Sequence, residues 1–143
     1  MITQERDGLL LSDDASRLDV ALVHHWLSDL SYWAAGRSLD IVGRSIERSW
    51  CLGVYSDAEL VAFTRVVTDE VTIAWICDVF VTEEYRGRGI GTWMARVAVD
   101  RCAEAGVRRI LLATSDAHGV YSKVGFRPLV APERWMEIDL HST

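Results

Sequence analysis

The sequence predicts a single α/β domain of the α+β type, a mixed and mostly antiparallel sheet with one parallel crossover, spanning residues 1–143. Three observations predict it. The β-branched and aromatic runs "WCLGVYS", "LVAFTRVVTD" and "TIAWICDVFVT" follow one another, with turn signals at Ser56-Asp57 and Asp69-Glu70, which is the pattern of a meander. A fourth run, "VRRILLAT", comes only after a helical stretch from Ile90 to Ala105, enough chain to cross over to a parallel strand. Between meander and helix lies "YRGRGIG", with glycines at 87, 89 and 91.

The elements follow in order. "ITQERDGLLLS" holds a first strand. In "DASRLDVALVHHWLSDL", Leu18, Leu22, Val23, Trp26, Leu27 and Leu30 recur at helical spacing. A turn-rich "SYWAAGRS" leads to a second helix, "SLDIVGRSIERS", with Ser38 as its N-cap. After the three strands, the helix from Ile90 to Ala105 carries an apolar face of Ile90, Trp93, Met94, Val97, Ala98, Cys102 and Ala105, and Gly106 stops it. "DAHGVYSKV" reads as a short helix capped by Asp116 and ended by Gly125. "FRPLV" and "RWMEIDL" close the chain as two more strands. Pro occurs only at 128 and 132, and no repeat or linker marks a second domain.

Composition narrows the function. Half of the residues are hydrophobic and a quarter are charged, so the chain can bury a sizeable core. A net charge of −6 lacks the dominant basic face that nucleic-acid binding needs, and it is compatible with a cationic substrate. Cys51, Cys77 and Cys102 lie far apart without zinc-ligand spacing, and His24-His25 lacks a third ligand, so buried thiols and no metal are expected. The polar, charged start is unlike a signal peptide and no run is long enough to span a membrane, so a cytoplasmic protein with no membrane partner is expected.

The glycine loop carries the chemistry. Glycine brings backbone close to a ligand and takes positive φ without a Cβ penalty. A helix starting near Gly89 presents unpaired N–H groups and a positive dipole end, a place for phosphate or pyrophosphate, with Arg86 and Arg88 adding charge. The loop lacks the Lys-Ser/Thr of a nucleotide-hydrolysing P-loop. It reads G-x-G-x-G in mid-meander, which is not the dinucleotide fingerprint. The alternative is a tight strand-to-helix turn with solvated arginines.

With its flanks, this stretch resembles the GNAT superfamily of acetyl-CoA-dependent N-acetyltransferases. Arg86, Gly89 and Gly91 fill that family's Arg/Gln-x-x-Gly-x-Gly/Ala loop. "DAHGVYSKVGF" is similar to its later segment, carried here by Ala117, Tyr121, Lys123, Gly125 and Phe126, and the order of elements matches over nearly the whole chain. The resemblance implies a GNAT-like central sheet with helices on both faces and a splayed parallel strand pair. It implies acetyl-CoA as cosubstrate and a small-molecule primary amine as acceptor, attacking directly in a ternary complex. The pyrophosphate would sit on N–H groups of Arg86, Gly87, Arg88, Gly89, Ile90 and Gly91. The pantetheine arm would pair with backbone near Val79 and Val81, where an N–H can hold the thioester oxygen. Lys123 would reach the nucleotide end.

Tyr121 is then the candidate general acid for the leaving thiolate. Asp78 is a candidate to take the acceptor's proton or to hold its charge, and otherwise a structural carboxylate bonded to backbone. His118, one turn before Tyr121, is a second titratable group at this end. Tyr32 and Trp33 either wall the acceptor pocket or pack the first two helices together. Cys77 is a weaker candidate as a covalent nucleophile. Three other functions stay open at this stage: an acetyl-CoA sensor without turnover, a transferase with another acyl donor or a hydroxyl acceptor, and a protein acetylator. The oligomeric state stays open too, a homodimer included, since many members of the family pair through sheet or helix edges.

Overall fold

The computed structural model describes residues 1–141. The expected first strand is a hairpin. β1 (Thr3–Arg6) and β2 (Leu9–Ser12) pair around Asp7-Gly8, whose φ values of 53° and 78° are those of a tight two-residue turn. A single helical turn at Ala15–Arg17 precedes α1 (Val20–His25), whose Asp19 cap accepts from the Leu22 N–H at 3.0 Å. The chain then widens into a π-helical segment, Trp26–Leu30, so the expected first helix is broken into pieces. In α2 (Leu39–Glu47), Ser38 is the cap the sequence predicts, accepting from the Ile41 N–H at 3.2 Å.

β3 (Trp50–Ser56), β4 (Glu59–Thr68) and β5 (Ile73–Val81) form the meander, and α3 (Ile90–Glu104) carries the chain to β6 (Arg109–Leu112). The six strands lie in chain order from β1 to β6, antiparallel except for the parallel β5–β6 pair. Helices cover both faces. Met94, Val97 and Ala98 of α3 pack on Leu52, Val54, Ala62, Ala74 and Ile76. On the other face Val23, Trp26, Leu27, Val42 and Ile46 pack on Cys51, Tyr55, Phe63 and Phe80.

Past β6 the expectation fails in part. α4 (His118–Ser122) forms, but neither Asp116 nor any other side chain caps it; its N-cap residue is Ala117, whose N–H donates to the Thr114 hydroxyl at 3.1 Å. Neither "FRPLV" nor "RWMEIDL" is a strand; only a helical turn at Pro132–Arg134 breaks an otherwise irregular path. Pro128 has no N–H to give a ladder. The later residues project from the body, with Met136 at 95% exposure and Ile138 at 88%.

Candidate active site

The parallel strands separate halfway along β5. Their pairing runs from Ile73–Arg109 to Ile76–Leu112 and stops, while β5 continues to Val81. The cause lies on the other edge of β5. Phe63 pairs with Phe80 but Arg65 pairs with Cys77, so Thr64 faces two residues, Asp78 and Val79. This is a β-bulge, and Asp78 stands in it at φ 53°, a left-handed conformation few non-glycine residues adopt. The bulge bends β5 away from β6 and leaves main-chain groups beyond Ile76 without a strand beside them on that side.

A cavity of about 530 Å3 opens at the divergence. Its floor is Asp78, only 4% exposed, whose Oδ2 accepts from Arg37 Nη1 and from Arg65 Nε, both at 2.8 Å. Arg65 also donates to Ser49 Oγ at 3.1 Å. The carboxylate expected as a base is therefore engaged by two guanidiniums, and the three groups together carry one net positive charge. Sequence reasoning missed Arg37 and Arg65. Arg65 did leave a signal: a guanidinium inside the apolar run "LVAFTRVV" needs a counter-charge.

Val79, Tyr32, Trp33 and Tyr121 line the same cavity. Tyr32 and Trp33 meet edge to face, with centroids 5.0 Å apart. The Tyr32 hydroxyl accepts from Ser115 Oγ at 2.7 Å, which ties the connection before α2 to the loop after β6. Tyr121 is buried on α4 against Phe126. Burial pushes its phenol above the ordinary range, and nearby Tyr32 and Asp116 push the same way, so it holds its proton at neutral pH. Burial also raises the Cys77 thiol, to about 11, which leaves little thiolate to act as a nucleophile. His118 is exposed on α4 and does not line this cavity.

The glycine loop lies outside the cavity lining, between a helical turn at Glu83–Tyr85 and α3. Gly87 and Gly89 sit at φ 78° and 77°. Gly89 is the N-cap of α3, and no side chain caps the helix, so its first-turn N–H groups have no capping side chain as partner. Arg6 Nη2 braces the turn, donating to the Gly89 carbonyl at 3.2 Å, while its guanidinium lies 4.8 Å over the Trp93 ring. Arg86 folds back, its Nε donating to the Val81 carbonyl at 2.9 Å, so that carbonyl is already taken. Arg88 stacks over Tyr85 and is exposed, as is Gly87. Ile90 is buried and Gly91 half-buried in the first turn of α3. Lys123 is exposed at the end of α4, where its carbonyl accepts from Arg96, and it lines no part of the cavity.

Among the described residues no group of three or more His, Cys, Asp or Glu is arranged to hold a metal ion, and no helix is long and apolar enough to cross a membrane.

Comparison with known proteins places this geometry. The profile of the Acetyltransferase (GNAT) family matches residues 19–126. A crystal structure from Xanthomonas campestris pv. campestris, itself provisionally assigned to that family, is 41% identical with a TM-score of 0.88, covering 97% of this chain and 100% of that one. A Gibberella zeae protein provisionally named an acetyltransferase is 27% identical, over 82% of this chain and 78% of its own. A GNAT family acetyltransferase from Elizabethkingia anophelis with acetyl-CoA bound shares the fold at 13% identity and a TM-score of 0.65, over 85% of this chain and 78% of that one.

Proposed function

The chain belongs to the GNAT acetyltransferase family and is an acyltransferase, and from that premise we propose that it moves an acetyl group from acetyl-CoA to a primary amine of a small molecule in a ternary complex. One observation carries the reading: the gap where β5 leaves β6 opens into the cavity that holds Val79 and Tyr121.

The residues present fit the cosubstrate. Gly87 and Gly89 lack Cβ atoms at left-handed positions, and the uncapped start of α3 offers N–H groups to a pyrophosphate. β5 beyond Ile76 offers main-chain groups to an extended arm. When bound, acetyl-CoA supplies an activated acyl carbon and a thiolate leaving group. The N–H near Val79 is placed to hold negative charge that develops on the carbonyl oxygen. Tyr121, kept protonated by burial, gives its proton to the departing sulfur. Asp78 orients Arg37 and Arg65; the acceptor ammonium would lose one proton to water through the open side of the cavity before attack, and the second, released as the amide forms, would restore Tyr121. Tyr32 and Trp33 lie across that opening and select the acceptor's shape.

The test is an amine panel with acetyl-CoA and detection of free thiol. Tyr121→Phe is expected to cut turnover by about 10²–10⁴, the usual contribution of a positioned acid, with little change in coenzyme affinity. Unchanged turnover would remove Tyr121 from the mechanism.

A further inference from the structure

The geometry points to an acceptor that carries a carboxylate, so that the amine acetylated at this site is that of an amino acid; the inference rests on the acetyl transfer proposed above and names its substrate class. The observation behind it is the charge on the cavity floor. Arg37 Nη1 and Arg65 Nε both donate to one oxygen of Asp78, each at 2.8 Å, so two guanidiniums converge on a single carboxylate. Arg65 has one further partner, Ser49 Oγ at 3.1 Å. A guanidinium, however, offers N–H donors on all three of its nitrogens. Arg37 Nε and Nη2 and Arg65 Nη2 therefore keep donors with no protein acceptor among the described residues, and both side chains line the cavity.

Part-buried donors need an acceptor, and the one surplus positive charge needs a counter-charge. A carboxylate supplies both: it is planar, carries a single negative charge, and takes parallel N–H bonds from a guanidinium. A phosphate monoester, at roughly −1.5 to −2, exceeds the surplus. A second ammonium, as in a diamine, would be set beside two guanidiniums and is disfavoured. The net charge of −6 attracts cations at long range but does not describe this floor.

The rest of the lining orients such an acceptor. Asp116 is the other carboxylate of the cavity; it is exposed, accepts from the Tyr32 hydroxyl at 3.5 Å, and stands close enough to Tyr121 to act on its phenol. An amino acid's ammonium is drawn to that side and its carboxylate to the floor. Trp33, Trp75 and Leu112 leave an apolar wall for its side chain. Asp78 directly precedes Val79, near which an N–H is placed for the thioester oxygen, so the anion site and the reacting carbon are close together. The acceptor's carboxylate and amine must be close too, as they are in an amino acid. The amine nitrogen bonds to the acetyl carbon and the carbon–sulfur bond breaks. The products are an N-acetyl amino acid, the free thiol of coenzyme A and one proton released to water.

The experiment uses the full chain and reads binding and turnover separately. The panel is the protein amino acids, each beside its amide, its decarboxylated amine and its aminophosphonate analogue. With coenzyme A present and no acetyl donor, thermal shift reads binding alone; with acetyl-CoA, free thiol reads transfer. At least one amino acid is expected to show a kcat/KM roughly tenfold to a hundredfold above its amide and amine, the range of a charge-assisted hydrogen bond. Arg37→Gln is expected to bring that ratio toward one and Arg37→Lys to restore it in part, whereas a purely structural loss lowers acid and amide alike. A ratio near one in the wild type overturns the proposal and leaves the acetyl transfer standing. A ratio that Arg37→Gln does not change overturns it too, as does a preference for the phosphonate. Carboxylate-dependent binding without thiol release supports the anion site and overturns the acetyl transfer on which its role rests. Neither binding nor thiol release overturns both.

Discussion

Replacing Asp78 by Asn tests the floor of the cavity. The substitution keeps the side chain's shape and suits the left-handed backbone at φ 53°, so it removes charge with little added strain. Arg37 and Arg65 would then face each other without the shared carboxylate, which now accepts from both at 2.8 Å. Removing one partner from a buried ion pair costs about 3–5 kcal/mol. The two arginine side chains retain 23% and 16% exposure, and water reaching them screens part of the loss. The lower end, about 3 kcal/mol, is therefore expected. At about 2–4 °C per kcal/mol for a domain near this size, the melting temperature falls by roughly 6–12 °C. Circular dichroism melts of the wild type, Asp78→Asn, Arg65→Met and the double variant measure it. The double variant should be less destabilised than the sum of the singles, since the pair is coupled. A shift within about 2 °C of the wild type would refute the reasoning, because it would show three hydrated groups and not a built floor.

Two further outcomes concern the loop and the thiols. Acetyl-CoA at a hundredfold excess over its dissociation constant is expected to stabilise the wild type by about 2.7 kcal/mol in a thermal-shift titration. Gly89→Glu is expected to lose that shift, because a carboxylate then occupies a left-handed helix start where the pyrophosphate would bind; Gly89→Ala separates backbone strain from charge, and a retained shift in the Glu variant would move the cosubstrate elsewhere. The third outcome is a loss of stability in alkali. Burial pushes the Cys51 thiol from 9.0 up to about 12, so the unfolded chain ionises first. Its contribution is complete below pH 9 and is lost as pH rises toward 12. Urea midpoints should fall across that window, and Cys51→Ala should flatten the fall; an identical slope in both proteins would show that the thiol is solvated.

Local signals made much of the fold legible. The meander, the crossover, the Ser38 cap and the left-handed glycines before α3 each follow from a few neighbouring residues. The Asp7-Gly8 turn was equally local and was passed over inside a run read as one strand. The site was legible where it is backbone and less so where it is side chain. Arg37 and Arg65 lie 41 and 13 residues from Asp78, and only the bulge brings all three together. No side chain caps α4, although Asp116 was the obvious candidate: the N-cap residue is Ala117, and its N–H is taken by the Thr114 hydroxyl three residues earlier. The alternation in "RWMEIDL" is real, yet a strand needs a neighbour, and no pattern within seven residues says which edge that neighbour lies on.

Because spatial order in the sheet equals order along the chain, assembly has a direction. Each strand pairs with the one before it in the chain, and β3 to β5 close through turns of a few residues. Loop-closure entropy is therefore small within β3 to β5, and larger where residues 13–49 separate β2 from β3 and where α3 carries the chain to β6. The candidate-site gap thus lies at a seam between a locally closed meander and a parallel contact made across α3.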